Sequence, residues 1–140
     1  MSIDEILESL DYFIRRNHIK KKYSFKMYTA AINVKLIILS GMSFNSISKI
    51  ELQDFDIKAK TIKINGYELH LPIDLYLQLK KYVRIRNSLE TKNTKLLVRS
   101  DGTSLKGVSD LEAALVLGNG EKGNVTGITK NIIIKMIRSN

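Results

Sequence analysis

The sequence predicts an α+β domain that is mostly helical and carries one small antiparallel sheet. Several stretches repeat apolar residues at helical spacing, most clearly residues 28–40. By contrast, residues 60–72 alternate polar and apolar side chains on both sides of Asn65-Gly66. That dipeptide is a strong hairpin signal, because a type I′ turn needs two residues with positive φ. A chain of 140 residues fits one domain, which we expect to span residues 1–140.

The N-terminal stretch predicts the first helix, with Ser2 as its N-cap and Glu5 completing a capping box. Its apolar side consists of Ile3, Ile6, Leu7, Leu10, Phe13 and Ile14. A basic connector follows over residues 18–23, and its three adjacent lysines cannot all point inward. We expect a solvated positive surface there, which serves either solubility alone or contact with phosphate groups.

The helix over residues 28–40 is apolar almost all round, so we place it at the centre of the domain. Gly41 follows it, at a position where helices favour a residue that tolerates positive φ. Ser43 or Asn45 can then serve as the N-cap of a second, shorter helix. A sharp corner is therefore predicted between the two helices.

The next helix is expected to begin at Asp74, as its cap, after Pro72 has ended the hairpin. We assign it an apolar side of Leu75, Leu77, Leu79, Tyr82, Val83 and Ile85 and a basic side of Lys80, Lys81, Arg84 and Arg86. The remaining predicted elements are a short strand within residues 53–57, an extended run over 96–98, a turn over 100–103, helices over 108–117 and 128–138, and a flexible loop over 118–124.

The charge balance points to nucleic acid as a partner. The chain has 23 Lys and Arg against 14 Asp and Glu, a formal net charge of +9, and its pI is near 9.7. Such a balance favours DNA or RNA binding, although a lysine-rich composition alone would also produce it. The chain has no Cys, no visible secretory signal and no apolar run long enough to span a bilayer. We therefore expect a cytoplasmic protein without disulfides.

Other arrangements that could carry chemistry are weak. Asp54 and Asp56 lack a third carboxylate nearby in sequence, so turn and cap roles are favoured over a metal site. His18 and His70 are isolated, and two lone histidines without cysteine do not make a metal site. The glycine-rich loop over residues 118–124 lacks the Lys-Ser/Thr ending of a phosphate-binding loop. No metal and no cofactor are expected.

The order of the predicted elements and several local motifs resemble the catalytic domain of the tyrosine recombinases, the phage integrase family. Members of that family have a Thr-Gly-Leu-Arg corner, which here reads Ser40-Gly41-Met42-Ser43. Their Leu-x-x-x-Asp segment before a hairpin corresponds to residues 52–56, and their Leu-Phe-x-Ser segment to residues 97–100. Residues 124–140 fit the helix that carries the His-x-x-Arg motif.

The resemblance implies catalytic residues that this chain lacks. The first phosphate-binding Arg of the family falls on Ser43, and the Glu three residues later falls on Ser46. The hairpin Lys has no counterpart in the tight turn, although Lys63 is close by. The His-x-x-Arg pair falls on Thr126 and Thr129, and no Tyr follows that could act as the nucleophile. The resemblance thus implies a domain that is not an enzyme and lacks the C-terminal segment with the Tyr nucleophile.

Two functional hypotheses follow. The first is a catalytically inactive, recombinase-like domain that binds double-stranded DNA, as a regulator or repressor in a phage or mobile element. Its expected DNA contacts are Lys20, Lys21, Lys22, Lys26, Lys63, Lys130 and Lys135. The second is a protein-interaction module that pairs with itself or with an active recombinase through the apolar C-terminal helix, Ile128 to Arg138. An active DNA-breaking and rejoining enzyme is the weakest alternative.

Overall fold

The computed structural model describes residues 22–107 and Asp110. Predictions that concern residues 1–21, 108–109 and 111–140 lie outside this range. They are the N-terminal helix with its capping box, most of the basic connector, the helices predicted over 108–117 and 128–138, and the loop over 118–124. Elements are numbered below within the described part of the chain.

The first helix, α1, spans Lys22–Ser40 and is the centre of the fold. Apart from the half-buried Lys26, its side chains from Phe25 to Ile37 are buried on every side, as the nearly continuous apolar sequence predicts. The predicted connector over residues 18–23 extends too far, because Lys22 and Tyr23 already belong to the helix. The helix ends at Gly41, whose φ of 69° lies in the left-handed region.

The corner after α1 leads directly into α2, Phe44–Ser48. Ser43 is the N-cap, since its Oγ accepts a hydrogen bond from the backbone N–H of Ser46 at 3.1 Å. Of the two N-cap candidates in the sequence, the structure therefore selects Ser43 over Asn45. The Oγ of Ser40 donates to the carbonyl of Leu36 and accepts from the N–H of Met42, so polar groups on both sides of Gly41 are bonded.

A three-stranded antiparallel sheet follows, with strand order β1-β2-β3. A short 3-10 helix, Leu52–Asp54, leads into β1, Phe55–Asp56, and the hairpin consists of β2, Thr61–Ile64, and β3, Tyr67–His70. Asn65 and Gly66 form its turn with φ values of 52° and 83°, which confirms the prediction for this dipeptide. The strand predicted within residues 53–57 is present but contains only two residues.

The next helix, α3, spans Ile73–Asn87, and its cap differs from the prediction. Pro72 is the N-cap, and its carbonyl accepts a hydrogen bond from the N–H of Tyr76 at 2.9 Å. Asp74 therefore does not cap the helix. It lies in the first turn, where its negative charge interacts favourably with the positive end of the helix dipole.

Two residues of α3 lie on the side opposite to the one predicted. Leu77 was assigned to the apolar side but is 54% exposed, whereas Arg86 was assigned to the basic side but is 3% exposed. The core side of α3 is formed by Leu75, Leu79 and Tyr82, and a helix turns by about 100° per residue. Leu77 consequently faces away from the core, and Arg86 falls in line with it.

Residues 96–98 are buried, but the predicted strand or extended run is not formed, because the chain bends at Leu96 and Leu97 and only Val98 makes an isolated bridge, with Ser104. The phenolic oxygen of Tyr82 accepts a hydrogen bond from the N–H of Val98 at 3.1 Å and lies 3.0 Å from the Oγ1 of Thr29 on α1. Tyr82 thereby joins α1, α3 and this segment at the centre of the core. The predicted turn over residues 100–103 is confirmed, with the N–H of Gly102 bonded to the carbonyl of Arg99.

Candidate nucleic-acid interface

The tip of the hairpin contacts the corner between α1 and α2. The Nδ2 of Asn65 donates a hydrogen bond to the Oγ of Ser46 at 2.9 Å. The Oγ of Ser43 donates to the same hydroxyl at 3.2 Å. The Asn65 amide also lies 3.7 Å from the Sδ of Met42. Ser43, Ser46 and Asn65, called the polar corner below, are thus brought together from two places in the sequence, the start of α2 and the hairpin turn.

Local backbone chemistry holds these three side chains in place. Gly41 takes the left-handed conformation that reverses the chain after α1, and Asn65 takes the one that a type I′ turn requires. Ser43 is fixed by its role as N-cap of α2, which directs its Oγ toward Ser46. The geometry of the polar corner therefore follows from a glycine, a cap and a turn residue that are all readable in the sequence.

The polar corner can hydrogen-bond an anion but holds no charge. The Oγ of Ser46 accepts bonds from both neighbours, so its own O–H remains available to donate to an oxygen of a bound molecule. None of the three side chains titrates in the physiological range, so they provide neither an acid nor a base. Stabilising a phosphoryl-transfer transition state requires charged donors such as Arg, which these residues do not replace.

The predicted DNA contacts are only partly covered by the structure. Lys63 is exposed on β2 and lies opposite Glu68 in the register of the hairpin. Lys26 is half-buried within α1, and Lys22 is the first residue of that helix. Lys20, Lys21, Lys130, Lys135, Thr126 and Thr129 lie outside the described residues. Of the residues predicted from the resemblance, the structure brings Ser43 and Ser46 into contact, and Asn65 joins them.

Asp54 and Asp56 have the turn and cap roles predicted for them. The Oδ2 of Asp54 accepts from the N–H of Glu51, and the Oδ1 of Asp56 accepts from the N–H of Ala59, both at 2.9 Å. Each carboxylate thus stabilises a change of chain direction. Across residues 22–107, no group of three His, Cys, Asp or Glu side chains is placed to hold a metal ion.

A cavity of about 640 Å³ lies between the 3-10 helix and the C-terminal end of α3. Arg86 lines it, and its guanidinium donates to the backbone carbonyls of Asn93 and Lys95 and to the side chain of Asn87. Glu51, also in the wall, forms an ion pair with Lys95 at 3.3 Å.

These bonds use the guanidinium of Arg86 and one carboxylate oxygen of Glu51, whereas the Oε2 of Glu51 is buried without a hydrogen-bond partner among the described residues. A hydrogen bond from Thr94 and the charge of Lys95 keep the pKa of Glu51 below its ordinary value. Burial lowers the pKa of Arg86, and its donors are directed at backbone carbonyls. Arg86 thereby binds the loop over residues 91–95 to α3.

Sequence reasoning missed Asn65 as a member of the site. The dipeptide Asn65-Gly66 predicts the turn, but the contact with Ser46 spans 19 residues and depends on how the sheet packs against the corner. None of the helices within residues 22–107 combines the length and apolarity needed to cross a bilayer. Comparison of the chain with protein-family models, curated proteins and solved structures finds no match.

Proposed function

We propose that this chain is a tyrosine-recombinase-like domain that binds duplex DNA without cutting it. The carrying observation is the contact between Asn65 and Ser46, which joins the hairpin tip to the Gly41 corner. The resemblance implies that the first phosphate-binding Arg and the Glu three residues later stand at the corner, and that a Lys stands on the hairpin. Here Ser43 and Ser46 occupy the two corner positions, and the hairpin turn that contacts them has no Lys, so the proposed phosphate site retains hydrogen-bond donors and has lost its charges.

The chemistry of phosphoryl transfer supports the proposal that catalysis is absent. Charge develops on the non-bridging oxygens of phosphorus, and removing one fixed donor to such an oxyanion costs about a hundredfold or more in rate. Ser43 contributes no positive charge at the place of the first Arg, and its O–H is bonded to the Oγ of Ser46. A domain of this kind holds DNA and leaves the backbone intact, which suits a regulator or repressor in a phage or mobile element.

Affinity for duplex DNA is expected to be mainly electrostatic. The formal net charge of +9 gives the chain the sign that DNA phosphates attract. Each phosphate that a Lys or Arg neutralises releases counterions, so the affinity should fall steeply as salt is raised. Contacts of this kind position a protein on the duplex and do not read its sequence.

The test is an anisotropy titration of the full chain against a fluorescent duplex at several salt concentrations. The proposal expects binding at low salt with a steep negative slope of log affinity against log salt. Absence of binding at low salt would overturn it. A suicide DNA substrate checks the catalytic part, because an active recombinase leaves a covalent protein–DNA adduct, and none is expected here.

The alternative, a protein-interaction module, remains a prediction that rests on the apolar sequence Ile128 to Arg138. Light scattering at high concentration separates the two functions. A strict monomer that binds duplex DNA supports the first proposal, whereas an oligomer without affinity for DNA supports the second.

A further inference from the structure

A basic surface lies away from the polar corner. On the exposed side of α3, three cations follow one another within about 100° of the helix surface. They join two cations of the turn between β1 and β2, and the five residues, called the basic face below, are Lys58, Lys60, Lys80, Lys81 and Arg84, all exposed.

Tyr76 holds two lysines of the basic face together. The Nζ of Lys60 lies 5.4 Å from the centroid of the Tyr76 ring, and the Nζ of Lys80 lies 5.9 Å from it. The hydroxyl of Tyr76 also donates to the carbonyl of Ile57 at 2.9 Å, which fastens the turn to α3. Cation–π attraction thus stabilises two like charges beside one ring, although they repel each other.

Lys60 has an unusual backbone conformation. Its φ of 59° lies in the left-handed region, where glycine fits without strain and lysine does not. The N–H of Leu71, just after β3, donates to the carbonyl of Lys60 at 3.0 Å, and this hydrogen bond stabilises the strained residue. Backbone strain of this kind at a charged, exposed turn residue indicates that the side chain has a function.

The basic face is not neutralised from within. None of its five cations forms an ion pair in the part of the chain that the structure describes. The nearby carboxylates are those of Asp56, which accepts from the N–H of Ala59, and Asp74, in the first turn of α3. Neither approaches the five cations closely enough to pair with them, so the surface retains a net positive charge.

We propose that the basic face is a second contact for the phosphate backbone of duplex DNA, a proposal that rests on the proposed function. Lys60 precedes β2 and Asn65 follows it, so the two surfaces lie at opposite ends of this strand, roughly 17 Å apart at strand spacing. A duplex carries one charge per about 1.7 Å of its axis, so a duplex laid along the hairpin presents phosphates across the whole of this separation.

An anionic lipid surface is the rival partner, because Ile57, Ile73 and Leu77 are exposed beside these cations. Binding of a helix to a membrane surface grows with the apolar area that it buries. Three aliphatic side chains that are each only about half exposed offer little such area, whereas five cations without ion pairs match a chain of phosphates. The observations therefore favour nucleic acid.

The test compares the full-length wild-type chain with the double variant Lys60→Gly/Lys80→Gln in salt-dependent duplex binding. Each lost phosphate contact reduces the magnitude of the slope of log affinity against log salt by about one. The double variant should therefore have a slope that is smaller in magnitude by about two, and it should bind about tenfold more weakly. Glycine relieves the left-handed strain at position 60, so the single variant Lys60→Gly should be at least as stable to heat as wild type.

Glu90→Gly is the matched control, because Glu90 also has a positive φ, of 55°, and lies outside the basic face. It should gain stability in the same way without losing affinity for DNA. Wild-type binding that the double variant retains in full would overturn the second contact and leave the proposed function standing. A wild type that ignores duplex DNA but binds vesicles of anionic phospholipid would overturn both.

Discussion

The amide of Asn65 donates a 2.9 Å hydrogen bond to the hydroxyl of Ser46, and this bond fixes the hairpin tip against the start of α2. Both residues are held by their own backbone, Asn65 in the left-handed conformation of the turn and Ser46 in the first turn of a helix that Ser43 caps. The bond is partly exposed, so its contribution to stability is modest, but its position determines what the polar corner presents to a ligand.

Breaking this bond from either side should cost little stability. Asn65→Gly keeps the type I′ turn and removes the donor, whereas Ser46→Ala removes the acceptor. Each should lower the free energy of unfolding by about 0.5–1 kcal/mol. In a double-mutant cycle measured by urea denaturation, the double variant should lose less than the sum of the two. Full additivity would show that the bond contributes nothing.

Ser43→Arg should strengthen binding to duplex DNA. The substitution restores a charge where the resemblance implies the first phosphate-binding Arg, and one added phosphate contact should raise the salt slope by about one. The loss of the N-cap should cost about 1 kcal/mol of stability. Asn45→Arg, exposed on the same short helix, is the control for a general effect of charge. Equal gains for both variants would show that the corner does not face a phosphate.

Arg86 should be far more important for stability than its neighbour Arg84. Arg86 is 3% exposed and its guanidinium binds the carbonyls of Asn93 and Lys95, whereas Arg84 is exposed. Arg86→Ala leaves these carbonyls without donors and should cost about 3 kcal/mol. Arg84→Ala should change stability by less than about 0.5 kcal/mol. Chemical denaturation of the two variants measures the difference. Similar free energies of unfolding would contradict the inference that Arg86 holds the loop over residues 91–95 in place.

The features that the sequence predicts well are those that a few adjacent residues determine. The structure confirms the backbone conformations predicted at Gly41 and at Asn65-Gly66, and it selects Ser43 from the two N-cap candidates that the sequence offers. Asp74 is not the cap, because Pro72 occupies the N-cap position. The proline ring has no hydrogen-bond acceptor, so the sequence does not mark Pro72 as an N-cap.

The sequence could not reveal contacts between distant elements. Arg86 looks like any basic helix residue until the loop over 91–95 folds over it, and Lys60 meets Lys80 only because both approach Tyr76. These contacts depend on packing, which the helical and strand periods do not encode. For the same reason the polar corner could be predicted as a turn and a cap but not as a cluster.

Asn33 should be a site where an apolar residue increases stability. It is 0% exposed on α1, and within the described part of the chain neither its Nδ2 nor its Oδ1 has a hydrogen-bond partner. A buried amide without partners costs about 1–3 kcal/mol, so Asn33→Leu should raise the free energy of unfolding by a similar amount. Thr29→Val is the contrasting control, because its hydroxyl is bonded and its loss should destabilise. Destabilisation by Asn33→Leu would show that the amide is satisfied.

The core should lose stability in alkali through its buried tyrosines. Burial raises the pKa of Tyr82, and of Tyr28, from 10.0 to about 12. Between these values the unfolded chain has lost the phenolic protons that the folded chain keeps. The stability is therefore complete below pH 10 and falls as pH rises toward 12, by about 1.4 kcal/mol per pH unit for each tyrosine.

Tyr82→Phe tests this dependence, since it removes one of the two titrating groups. The variant should be less stable at neutral pH by about 1–3 kcal/mol, because the N–H of Val98 loses its acceptor in the core. Its stability should then fall only about half as steeply between pH 10 and 12 in urea denaturation. Tyr67→Phe is the control for the loss of a phenol at the surface, because Tyr67 is 66% exposed. An unchanged slope in Tyr82→Phe would mean that Tyr82 ionises in the folded chain as readily as in the unfolded one.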